Sequence, residues 1–241
     1  SKISACIQTN YKLNVKNKIK KVFITGSGTS VGKTYLTCGL IDLIIRKGLK
    51  VSPYKPIETG CKKINNKLIP NDSKKFYKLV NKSIDIKLIN PYRFQQPISP
   101  NRAIQLSKKE INIKNYIEKV KKLPKNDFLI IEGAGGLCSP ISSDGLNIDL
   151  IKKMNLKTIL VVKDEIGAIN NTLLNIEILK KYKISVIAII LNRIILKQPV
   201  GMNNLLEIRT YTTIPIIQML NYKNYSNVKP LNSVFKFLLQ S

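Results

Sequence analysis

The sequence predicts a doubly wound α/β fold, a mainly parallel sheet with helices on both faces. Three observations predict it. Short apolar runs alternate with longer amphipathic segments. The central runs are apolar at every position, as strands covered on both faces are. One apolar run leads through a glycine-rich loop directly into a helical pattern. No composition break or internal repeat divides the chain, so residues 21–241 are read as one α/β domain of the phosphate-loop type. Residues 1–20 are read as a basic, frayed extension with lysines at 2, 12, 16, 18 and 20 and no acid.

The first strand is "KVFIT" (21–25), and the segment "GKTYLTCGLIDLIIRKG" after the glycine loop reads as a helix over 33–47 that stops at Gly48. The second strand, "KVSPYK" (50–55), is ended by Pro56, which leaves Lys55 near its carboxyl end. A helix over 72–81 opens at Asp72, a residue type that suits an N-cap. Further helices are expected over 110–122, 170–182, 201–210 and 231–239. The remaining strands are "FLIIE" (128–132), "TILVVK" (158–163), "SVIAIIL" (185–191) and "IPIIQM" (214–219).

Composition removes several classes of chemistry. Histidine is absent, which excludes Ser-His-Asp and Cys-His nucleophile systems and every imidazole metal site. Cys6, Cys38, Cys61 and Cys138 show no C-x-x-C spacing, so zinc and dithiol chemistry are not expected and reduced cytoplasmic thiols are. No apolar stretch reaches the ~18 residues of a membrane span, so no membrane partner is expected. The formal net charge of +27 would suit nucleic acid, but the excess is scattered lysine mixed with Asn and Ile. Arginine, the bidentate reader of phosphate and guanine, is confined to positions 46, 93, 102, 193 and 209, and Trp is absent, so no nucleic-acid partner is expected.

"GSGTSVGKT" (26–34) is a phosphate-binding loop with its first glycine one position early. Backbone N–H groups of Gly28, Thr29, Ser30, Val31 and Gly32, with the helix start at Lys33, Thr34 and Tyr35, would form an anion cradle. Lys33 would reach the terminal phosphates of ATP, and the Thr34 hydroxyl would ligate Mg²⁺. "DFLIIEGAGG" (127–136) is an apolar strand ending in Glu132 and a glycine turn, Gly133, Ala134 and Gly135, that lets backbone approach phosphate. Mg²⁺ prefers oxygen donors, and Thr34, Asp72 and Glu132 make such a set. "EIGAINNTLLN" (165–175) would start a helix near Ile169 whose free N–H groups, at Gly167, Ala168, Ile169 and Asn170, could hold a carboxylate.

These motifs together resemble dethiobiotin synthetases, over roughly residues 21–222. The loop "TGSGTSVGKT", the segment "YKPIETG" (54–60), "NPYRFQQPISPNRA" (90–103), "EGAGG" followed by Pro140, and "IILNRI" carry the resemblance. It implies ATP-dependent conversion of 7,8-diaminononanoate and CO₂ (or bicarbonate) to a cyclic urea, with Mg²⁺ as cofactor. It also implies that Lys55 is the catalytic lysine beside Lys33, that Thr59 touches substrate and that Glu132 and Asp72 bind metal. On the same ground Asn192 and Arg193 lie at the adenine, with main-chain contacts at Leu220, Asn221 and Tyr222, and Gly167 to Asn170 serve the partner's site in a homodimer. The chain departs from the family pattern at Ser30, Asn101, Asn171, Gln218 and Asn221.

Two alternatives stand beside this reading. Partitioning-type ATPases that bind DNA or membrane carry a second lysine five residues before the loop lysine, where this chain has Gly28. Corrinoid amidation ligases normally add a glutaminase domain with a catalytic cysteine, more than these 241 residues accommodate.

Overall fold

The computed structural model describes residues 19–194, 197–220 and 228–240. In chain order the elements are β1 (Lys20–Gly26), α1 (Lys33–Arg46), β2 (Val51–Tyr54), β3 (Ile57–Glu58), β4 (Lys62–Ile64) and β5 (Lys67–Ile69). Then come α2 (Asn71–Leu79), α3 (Ile86–Ile89), β6 (Tyr92–Arg93), α4 (Pro100–Leu106), α5 (Ile113–Val120) and β7 (Phe128–Glu132). The chain continues through α6 (Asn147–Lys153), β8 (Lys157–Lys163), α7 (Ala168–Lys181), β9 (Val186–Arg193), α8 (Asn204–Arg209), β10 (Ile216–Leu220) and α9 (Val228–Gln240).

Six strands form one sheet in the order β10-β9-β8-β1-β7-β2, and every neighbouring pair is parallel. The expected mainly parallel sheet is therefore wholly parallel. Alternate residues of β8 and β9 feed different layers. Leu160, Val162, Ile189 and Leu191 pack with Ala168, Ile176 and Ile208 of α7 and α8, while Ile159, Val161, Ala188 and Ile190 join the larger cluster shared with α1 and α9. Helices thus cover both faces, which is why these strands carry no polar alternation. β2, at the sheet edge, tolerates Pro53 because its pairing with β7 uses the other set of backbone groups, as Phe128 N–H donating to the Lys50 carbonyl shows.

Several sequence expectations shift at their ends. Pro215 has no N–H, and the last strand starts at Ile216 instead of 214. The helix expected over 201–210 begins at Asn204, capped by the Asn203 side chain, because Gly201 has φ +80°. The helix expected over 110–122 is shorter, with Asn112 N–H bonded to Asn115 Oδ1 at its start. Asp72 is not an N-cap. It sits in the first turn of α2, whose N-cap residue, Pro70, offers no side-chain acceptor.

β1 lies at the centre of the sheet, with β7 on one side and β8 on the other. The strand order reverses there, and the carboxyl ends of β1, β7 and β2 open onto one crevice, the usual ligand position in such sheets.

Candidate active site

The phosphate loop runs from the end of β1 to Gly32, which takes φ +105° at the start of α1. It is packed from several sides. A Cβ on Gly26 would lie 2.6 Å from Val31 Cγ2. Val31 is buried and its carbonyl accepts from Asn192 Nδ2 at 2.8 Å. Lys33 Nζ folds back along the loop and donates to the Gly28 carbonyl at 2.6 Å.

Glu132, at the tip of β7, is fully buried. Thr34 Oγ1 donates to its Oε1 at 2.8 Å, and Thr37 Oγ1 lies 2.6 Å from its Oε2. Pro56 follows β2 and leaves Lys55 just past the strand end, with its own N–H held by the Ile89 carbonyl. Lys55 Nζ reaches Glu132 Oε1 at 2.5 Å and Asp72 Oδ2 at 2.8 Å. Four segments distant in sequence therefore meet at one cluster of two lysines, two carboxylates and two threonine hydroxyls.

The charges in this cluster tune one another. Burial disfavours the Lys55 ammonium, but Glu132, Asp72 and Glu58 outweigh it and hold its pKa above the ordinary lysine value. Burial pushes the Asp72 carboxyl up, but the charge and hydrogen bond of Lys55, with smaller help from Lys75 and Thr34, together outweigh this and leave it below its usual value. Lys33 is pulled down to about 8 by burial and by repulsion from Lys55.

The turn after Glu132 needs its glycines for space. A Cβ on Gly133 would meet Asn147 Oδ1 and Phe23 Cε1, each at 2.8 Å, and one on Gly136 would press on the carbonyls of Ser27 and Gly26 at 3.3 and 3.4 Å. Asn147 Nδ2 donates to the Ala134 and Gly136 carbonyls at 2.7 Å each and ties the turn to the start of α6.

The cluster opens into a cleft of about 320 Å³ lined by Thr29, Ser30, Gly32, Lys33, Thr34, Lys55, Thr59, Asp72, Glu132, Ala134 and Gly135. All of these are sequence-predicted residues. Ile57, Glu58 and Ile194 line it as well; they lie inside the segments "YKPIETG" and "IILNRI" but are not among the residues expected at the site. Gly28, Val31, Tyr35 and Gly133 support the loop or turn without lining the cleft. Asn192 and Arg193 end β9, and Leu220 ends β10. Asn192 is buried beside Gly32, and its Oδ1 has no hydrogen-bond partner among the described residues. Asn221 and Tyr222 lie outside the described residues.

Gly167 to Asn170 do not line this chain's cleft. Gly167, exposed at φ +90°, precedes α7, but the Ala168 N–H is already taken by the Glu165 carbonyl. The Ala168 side chain is buried and Ile169 packs on the second core cluster, so Gly167 and Asn170 are the exposed members of this set.

The donor chemistry suits Mg²⁺. Thr34, Asp72 and Glu132 offer only hard oxygen atoms, all within the Lys55-centred cluster. Among the described residues no group of three or more His, Cys, Asp or Glu side chains forms a metal cage.

A central parallel strand, a glycine loop, a helix-start lysine and a strand-tip glutamate define a phosphate-loop nucleotide-binding protein. A family model described as an AAA domain matches residues 20–227. The ATP-dependent dethiobiotin synthetase of Vesicomyosocius okutanii is 38% identical over 199 residues, covering 83% of this chain and 89% of that protein. That of Halalkalibacterium halodurans is 35% identical, covering 85% of each. The chain belongs to the ATP-dependent dethiobiotin synthetase family. A plasmid partition protein from Borrelia burgdorferi shares the fold at TM-score 0.57 and 14% identity, with 92% of this chain and 99% of that one covered.

Proposed function

We propose that this chain is a ligase of biotin biosynthesis that closes 7,8-diaminononanoate with CO₂ into dethiobiotin at the expense of ATP. The observation that carries the reading is the convergence of Lys33 and Lys55, from separate segments, on one cleft floored by Glu132. Family membership supplies the substrates.

One substrate amine attacks CO₂, loses a proton and becomes a carbamate. A carbamate oxygen attacks the γ-phosphorus of ATP, and ADP leaves with the electrons of the broken P–O bond. The second amine then attacks the carbamoyl carbon, closes the ring and expels phosphate. The substrate provides both nucleophiles, so the absence of histidine costs nothing.

The protein's task is to bring two anions together and hold them aligned. Lys33 neutralises the terminal phosphates from the loop. Lys55 faces the carbamate and the transferring phosphoryl group. Thr29 and Ser30 offer hydroxyls at the same wall of the cleft, and Thr59 touches the diamine. Thr34, Asp72 and Glu132 would hold Mg²⁺, which when bound adds positive charge at the triphosphate oxygens. Asn192 Oδ1 is an acceptor suited to the exocyclic amine of adenine, and Arg193 pairs with Leu220 at the adjoining ends of β9 and β10.

The substrate carboxylate lies away from the reacting amines and takes the α7 start, Gly167 to Asn170, of a second copy. We therefore propose a homodimer with shared sites, working in the cytoplasm without nucleic acid. Residues 21–241 act as one domain and 1–20 as a basic extension. Among the described residues no helix is long and apolar enough to cross a membrane. The direct test is ADP release that requires the diamine and is matched by fixation of labelled bicarbonate. ATP turnover stimulated by DNA and indifferent to the diamine would favour the partitioning alternative instead.

A further inference from the structure

Glu58 lies in the segment "YKPIETG", where the sequence gives it no role of its own, yet it is 4% exposed and both of its carboxylate oxygens are engaged at the start of α2. Oε1 accepts from the Asp72 N–H at 2.8 Å. Oε2 accepts from the Ser73 N–H at 3.1 Å and from Ser73 Oγ at 2.7 Å. A helix leaves its first N–H groups without intrahelical partners, and a carboxylate there is favoured by hydrogen bonding and by the helix dipole. The nine-residue α2 has Pro70 at its N-cap, which supplies no side-chain acceptor. Glu58 therefore does the capping from 13 positions before the helix begins.

The backbone of Glu58 is itself anchored. β3 pairs with β6, Glu58 opposite Arg93, and the Phe94 N–H donates to the Glu58 carbonyl at 2.9 Å. Between Glu58 and α2 lies the β4–β5 hairpin, whose β4 is exposed at every position. Glu58 bridges the base of this excursion. It also lies three residues after Lys55, so one short segment sets both partners of the 2.8 Å Lys55–Asp72 ion pair.

We infer that Glu58 is a positioning residue that places the Asp72 carboxylate at the metal and Lys55. This rests on the reading of Asp72 as a metal-site residue. Removing a group that orients a metal ligand typically costs about 10–100-fold in metal affinity. The sequence separation of the hairpin leaves its length and composition free without moving Asp72.

The test is a double-mutant cycle read by Mn²⁺ binding to the full-length enzyme with a non-hydrolysable ATP analogue, using the paramagnetic resonance of free Mn²⁺. Glu58→Ala should weaken Mn²⁺ binding about 10-fold, and Asp72→Asn by a similar or larger factor. The double variant should be no weaker than Asp72→Asn alone, because Glu58 acts through Asp72. Glu58→Gln, which keeps the shape and one acceptor oxygen, should stay within about threefold of the wild type and serves if the alanine variant does not fold. Multiplied losses in the double variant, or unchanged affinity in Glu58→Ala beside a weakened Asp72→Asn, would overturn the inference. If the glutamine variant has to stand in for alanine, its losses multiplying with those of Asp72→Asn would overturn it likewise. Unchanged affinity in Asp72→Asn would instead remove the metal reading of Asp72, and the Glu58 inference with it.

Discussion

Asn192 occupies the space that a side chain on Gly32 would need: a Cβ there would lie 1.9 Å from Asn192 Nδ2, which donates to the Val31 carbonyl. Gly32 is also held at φ +105°, outside the comfortable range of an L side chain. Gly32→Ala should therefore cost about 1–3 kcal/mol of stability, read as a Tm drop of several degrees. Adding Asn192→Ala should return part of the loss by removing the collision but not the backbone strain. Equal melting temperatures for the single and double variants would mean that the two residues do not oppose each other.

The loop lysine carries a second expectation. Lys33→Ala should lose at least ~100-fold in kcat/KM, or ~2.7 kcal/mol of transition-state stabilisation. Turnover near the wild-type rate would remove the phosphate-loop assignment.

Lys55 is expected to separate binding from chemistry. In Lys55→Met, labelled bicarbonate should no longer be fixed while an ATP analogue still binds in equilibrium dialysis. The same change leaves the fully buried Glu132 without its cation, a loss of about 3–5 kcal/mol for a buried pair. Lys55→Met/Glu132→Gln should melt at a higher temperature than Lys55→Met alone. Parallel collapse of nucleotide affinity and chemistry would show that Lys55 serves the nucleotide generally.

Much of the site was legible because it sits at strand ends. The sequence places Gly28 to Thr34, Lys55 and Glu132 there through local signals: an apolar run, then glycine or proline, then the charged residue. Glu58 and Asn147 were not legible. Each acts on a turn or helix start more than ten residues away, Glu58 on Asp72 and Asn147 on Ala134 and Gly136, and no periodicity marks such a contact. The short helices α3 and α6 were missed for a related reason. Four and seven residues are too few to show a helical period, and their buried Ile89, Ile148 and Leu150 are held by tertiary packing. The sequence puts Asp72 at the start of the right helix, but not as its cap, because the capping carboxylate comes from Glu58, elsewhere in the chain.

Thiol chemistry offers a pH-dependent check on the packing beside the cleft. Burial, reinforced by Glu58, pushes the Cys61 thiol up to about 11. Only the thiolate alkylates, so labelling of Cys61 should be slow at neutral pH and rise as pH approaches 11. Cys138 is exposed and should label before Cys61 with iodoacetamide at pH ~8, as peptide mapping would show. Equal rates for the two at that pH would mean that the Cys61 segment opens readily.

The proposed shared site can be tested by mixing subunits. Lys55→Met disables the chemistry, and a bulky residue at exposed Gly167 blocks the carboxylate tail, so each homodimer is inactive. After exchange about half the dimers are mixed, each with one intact site, and roughly a quarter of wild-type activity should return. No recovery after verified exchange would mean that one chain builds the whole site.

Pro53 has a consequence for how copies of this chain can meet. Lys50 turns its carbonyl toward β7, so by alternation positions 51, 53 and 55 turn their backbone outward from the sheet edge. Position 53 has no amide hydrogen to offer, and that of Lys55 is committed to the Ile89 carbonyl. An incoming strand would find two of its three rungs missing. This edge of the sheet therefore resists runaway strand-by-strand polymerisation.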